Sequence, residues 1–114
     1  MLMATVDVSL NAATLHNGTA GFVLKLQDET WEINIFIMPD ELALIPSVRN
    51  TNWEKRSSLK IGEMCHVPTF WSCEGDILII LAGDDDECWD MAVSMPATVI
   101  DEITQQAVNF DTAG

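Results

Sequence analysis

Apolar and polar residues alternate with a period of two over the first third of the chain. Val6, Val8 and Leu10 share one face, with Asp7 and Ser9 on the other. Phe22, Leu24 and Leu26 alternate with Val23, Lys25 and Gln27, and Trp31, Ile33, Ile35 and Ile37 alternate with Glu32, Asn34 and Phe36. Asn17-Gly18 and Asp28-Glu29-Thr30 supply the intervening turns. This is the pattern of three half-buried strands in an antiparallel meander. Pro39-Asp40-Glu41 then opens a short apolar run closed by Pro46. A proline early, acids in the first turn and a proline at the exit predict one or two turns of helix.

The segment from Pro46 to Gly62 is polar; its first part reads as a loop, and Ser57–Ile61 as a strand. Further strands are expected at Val67–Ser72, at Asp76–Ala82 and at Cys88–Met95. The second of these is apolar on both faces, which belongs in the middle of a sheet. Tight hairpins would set Ile80 near Thr69 on one side and Asp90 on the other. The last element is a helix from about Pro96 to Phe110. Val99, Ile100, Ile103, Ala107 and Phe110 fall within about 100° of arc, while Thr98, Asp101, Gln105 and Asn109 lie outside that stripe. Such a stripe must lie on the sheet. The fold class expected is α+β: one domain over 1–114, an antiparallel sheet of six to seven strands, a short middle helix, and a C-terminal amphipathic helix packed on one face.

Composition changes the picture chiefly through charge. The 114 residues carry 18 acids against 5 lysines and arginines, for a net charge of −13. The segment 46–62 holds Arg49, Lys55, Arg56 and Lys60, leaving only Lys25 elsewhere. Direct nucleic-acid binding draws on cations to neutralise phosphates and is not expected here; an anionic membrane is disfavoured for the same reason. A basic protein partner would be attracted and steered in, although acidity also serves solubility. No apolar stretch approaches the length of a membrane span. The start of the chain lacks a secretory pattern, and an odd count of three cysteines does not read as a disulfide framework. A reducing cytoplasm is the expected location.

Candidate chemistry narrows to one region. Asp84-Asp85-Asp86-Glu87 form an acidic hairpin, with Asp90 just inside the following strand and Glu74 and Asp76 around the preceding turn. The set reads as a docking patch for lysine and arginine of a partner, or as a solvated turn that discourages edge pairing. A calcium loop would need alternating acids, a central glycine and a glutamate at its end; here Gly83 precedes the acids, so no metal is expected. Cys65-His66, Cys73 and Cys88 fit no zinc spacing, His16 is far away in sequence, and adjacent strand residues point to opposite faces. Free cysteine behaves as a small buried hydrophobe. No phosphate loop or nucleophile elbow is present, so no enzymatic activity and no cofactor are expected. Among the tryptophans, Trp31 and Trp89 look like core and Trp53 lies in the basic segment. Trp71 is either a partly exposed hot spot ringed by carboxylates or covered by the short helix or the 46–62 segment.

In size, α+β pattern, net charge and the acidic face from Glu74 to Asp90, the chain resembles the small bacterial immunity proteins made beside secreted polymorphic or contact-dependent toxins. The resemblance implies tight binding to a cognate basic toxin domain, often a nuclease, with its active site blocked, by a monomer or weak homodimer. A secretion chaperone is also small, acidic and α+β, and would be an obligate dimer with apolar grooves. A metal-binding or enzymatic domain is the remaining alternative.

Overall fold

The computed structural model describes residues 6–14 and 18–112. Seven strands form one antiparallel sheet in simple sequence order: β1 (Asp7–Thr14), β2 (Ala20–Gln27), β3 (Glu32–Ile37), β4 (Leu59–Met64), β5 (Val67–Glu74), β6 (Ile77–Gly83) and β7 (Trp89–Pro96). A short helix, α1 (Pro39–Leu42), and two 3₁₀ turns, Ile45–Asn50 and Trp53–Lys55, connect β3 to β4. The chain ends in α2 (Thr98–Thr112). The α+β expectation is met. Asn17 and His16 lie outside the described residues, but Gly18 has φ of 87°, the left-handed geometry that a tight turn needs.

The period-two pattern sets the inner face. Leu10, Leu24 and Ile35 stand opposite one another across β1–β3, and Trp71, Ile80 and Val93 across β5–β7. These residues join one core with Ile45 and Val48 of the first 3₁₀ turn and Val99, Ile100 and Ile103 of α2. The helical stripe is thus seated on the sheet. Phe22 meets Phe110 edge to face, with ring centres 5.0 Å apart, which anchors the far end of α2.

Two backbone devices shape the middle of the sheet. Glu41 of α1 accepts from the Met38 N–H at 3.0 Å, satisfying a helix-start donor, and from the Gly62 N–H at 3.0 Å. Gly62 has φ of 75° and sits in the irregular stretch of the β4–β5 register. A Cβ there would lie 2.8 Å from the Phe36 carbonyl oxygen, so only glycine lets β3 and β4 approach.

Several sequence expectations are corrected. The first part of the polar stretch from Pro46 is not a plain loop, because it continues a 3₁₀ turn, Ile45–Asn50, in which Val48 is completely buried. Cys65 and His66 are not strand residues. They form the β4–β5 turn with φ of 49° and 71°, and both are exposed. The doubly apolar strand β6 is one place in from the edge, not central. Ile80 pairs with Trp71 and Val93, not with Thr69 and Asp90. The β5–β6 turn is formed by Gly75 and Asp76, one residue later than expected, and the β6–β7 loop likewise sits one residue later, with the bulge after Trp89 adding a further residue. Trp89 is 40% exposed, not core, because the register shifts between Ala82 and Gly83 and the strand bulges there.

Candidate functional site

The acidic hairpin begins at a forced close approach. A Cβ on Gly83 would fall 2.3 Å from the Trp89 Cα and 2.6 Å from the Cys88 carbonyl oxygen, so the two strands touch backbone to backbone as they leave the sheet. The Asp84 N–H donates to the Cys88 carbonyl at 2.9 Å and closes the loop. Asp85 then turns its carboxylate inward: Oδ1 accepts from the N–H groups of Glu87 and Cys88, each at 2.7 Å. A carboxylate holding two backbone donors organises the loop as an aspartate turn does elsewhere. Asp86 Oδ2 accepts from Ser58 Oγ at 2.9 Å, tying the loop to the segment before β4.

Two of the four loop acids are therefore structural. Asp84 and Glu87 are exposed, as is Asp90 at the start of β7. Among the described residues no lysine or arginine pairs with any of the three, since the ion pairs join Lys25 to Glu32, Arg49 to Asp101, Lys60 to Glu41 and His66 to Glu63. Arg56 lies close in sequence to Ser58, but its guanidinium stacks on Trp53, 4.4 Å from the ring centre.

The remaining candidates do not join this group. Glu74 and Asp76 are exposed at the β5–β6 turn, and the Asp76 carbonyl accepts from the Ala97 N–H at 2.7 Å. That turn and the 84–88 loop terminate opposite ends of β6. At the rise of an extended strand they are about 20 Å apart. The acidic set is two patches, not one face.

Trp71 is completely buried and offers nothing to a partner. Its Nε1–H donates to the Ile61 carbonyl at 3.0 Å and lies 3.3 Å from Thr69 Oγ1. The Thr69 hydroxyl donates to the same carbonyl. The 3₁₀ turns of the 46–62 segment pack against β5 and close over it, so the covering segment is the one in which the basic residues lie.

Among the described residues no three histidine, cysteine or acidic side chains converge to hold a metal ion, and no helix is long and apolar enough to cross a membrane. The three cysteines are free. Sequence reading missed one feature of this region: the outer edge of the sheet at β7 adjoins the acidic loop. Comparison with protein-family models, with curated proteins and with solved structures finds no match to this chain.

Proposed function

We propose that this chain is a small acidic binding protein that captures and neutralises a basic partner domain, acting as an immunity protein toward a cognate toxin. The supporting observation is the group Asp84, Glu87 and Asp90, which no cation among the described residues pairs, carried on a loop that its own hydrogen bonds hold in place. Like charges crowded at a hairpin tip weaken a fold, and a loop ordered before binding loses little entropy on binding. A basic surface meeting this tip gains electrostatic steering, which lifts association from about 10⁵–10⁶ to as much as 10⁸–10⁹ M⁻¹s⁻¹ at low salt. A basic nuclease domain fits that description.

The test begins with the product of the neighbouring reading frame. Co-expression of this chain should rescue growth if that product carries a toxic C-terminal domain. The charge-reversed variant Asp84→Lys, Glu87→Lys, Asp90→Lys should then associate with that domain about tenfold or more slowly at low salt, with a smaller change in dissociation. Asp85 must stay, because replacing it would unmake the loop itself. An unchanged association rate at low ionic strength would refute the reading.

A further inference from the structure

The two edges of the sheet are treated differently. On β1 the side-chain amide of Gln106 acts as a substitute strand: its Oε1 accepts from the Leu10 N–H and its Nε2 donates to the Val8 carbonyl, both at 2.8 Å. Nothing comparable guards β7 among the described residues: its inner-face side chains reach the core, but β6 is its one strand neighbour. The Asp76–Ala97 hydrogen bond fixes which groups of β7 face outward. Hydrogen-bonded pairs alternate from there, so the N–H groups of Met95, Val93 and Met91 turn toward β6. Those of Ala92 and Ser94 turn to the open side, and no described group meets them. Pro96, with no N–H to leave unpaired, closes that row.

From Met91 to Met95 the strand carries no charge, and Met91 and Val93 on its inner face are only half-buried. Natural sheets blunt such an edge with lysine, a bulge or a covering element. Here the protection is confined to the ends, at Asp90 and Pro96. A strand laid along β7 would satisfy the outward backbone groups and extend the apolar inner face past Met91 and Val93.

We infer that β7 is the receiving edge for an extended segment of the partner, one carrying lysine or arginine at alternate positions, which adds to the sheet as an eighth strand beside the acidic loop. The inference rests on the reading that the loop receives a basic partner, and charge selects the occupant. A second copy of this chain would bring its own net charge of −13 and its own acidic loop to the junction, whereas a cationic strand would set its charges beside Asp90, Glu87 and Asp84.

The probe is a short capped peptide alternating lysine and valine, added to the isotopically labelled protein. The expected result is exchange at the Ala92 and Ser94 amides slowed about tenfold or more, with amide shifts in the 84–88 loop that salt diminishes. Peptide N-methylated at every residue, which blocks both of its edges while keeping its charge, should shift the loop but leave both edge amides unprotected. Ala92→Pro, with the unmethylated peptide, should likewise shift the loop and leave the remaining Ser94 edge amide unprotected, and it should still fold because the N–H it removes faces outward. If that variant does not fold, the N-methylated peptide on the unaltered protein decides the matter.

Binding that shifts the loop with Ala92 and Ser94 still unprotected would overturn this inference and leave the proposed function standing. No shift in either place would overturn the inference and also remove support for the loop as a basic-partner site. Protection of both amides in the free protein, together with a dimer in sedimentation, would overturn it in favour of a second copy.

Discussion

Cys73 is the one thiol of the three that the fold encloses, while Cys65 and Cys88 are exposed. Its backbone N–H donates to Thr51 Oγ1 at 2.9 Å, which seats it beneath the first 3₁₀ turn. Burial pushes its thiol above the ordinary 9.0, and the Arg49 guanidinium opposes that shift only in part. The folded chain therefore holds this proton more tightly than the unfolded chain does. The resulting stability is complete below about pH 9 and is lost as pH rises toward the folded value. Two outcomes follow. A thiol reagent at neutral pH should modify Cys65 and Cys88 at once and Cys73 only as fast as the protein opens. Denaturation midpoints should fall on the alkaline side of pH 9, and Cys73→Ala should flatten that slope; an equal slope in the variant would exclude Cys73 as its source. The sequence marks Cys73 as a small apolar residue on the face of Trp71. It gives no sign of Arg49, which arrives from a segment more than twenty positions earlier.

At the scale of elements, local pattern and tertiary placement part company. Strand and helix identities were legible because their apolar periods, two in β1–β3 and the α2 stripe, are dictated by one buried face each. Hairpin registers were not, since they depend on which residues form each turn and on whether a bulge interrupts the pairing. Ile80 meets Trp71 and Val93 because both turns fall one residue later than the local pattern suggests and a bulge follows Trp89. The division of the acids was missed for a related reason: neighbours in sequence across a strand are the two ends of that strand. Gln106 shows the same limit from the helix side. It sits next to the stripe residue Ala107, and its role emerges only when α2 meets the β1 edge. Gln106→Leu keeps the bulk but strips two hydrogen bonds from a partly buried edge, at a cost of about 1–3 kcal/mol. The Leu10 amide should then exchange markedly faster while amides in β5 and β6 change little. Uniform acceleration across the sheet would mean that the edge bond serves global stability alone.

For the whole molecule, the charge distribution sets stability and binding against each other. A net charge of −13 is relieved by only four ion pairs among the described residues, one of them through a histidine, and each has at least one well-solvated partner, so it is worth little on its own. Repulsion among the remaining carboxylates loads the folded state more than the expanded one. Raising ionic strength from 0.01 to about 0.15 M shortens the screening length from about 30 to 8 Å. The melting temperature should therefore rise with salt; a relief of about 1 kcal/mol corresponds to roughly 4 °C for a domain of this size. The triple reversal at Asp84, Glu87 and Asp90 should raise the low-salt melting temperature and shrink its salt dependence, because it removes charge where the charge is densest and where no cation among the described residues pairs with it. Glu74→Lys with Asp76→Lys, at the other end of β6, is the control: it should stabilise to a lesser degree and leave partner association at the hairpin tip nearly unaltered. If reversal at the tip lowers the melting temperature instead, the tip acids support the fold through contacts of their own. A reduced association rate in that variant could then be charged to a damaged loop, and the kinetic comparison would have to be made with Glu87→Gln and Asp90→Asn, which remove charge without reversing it.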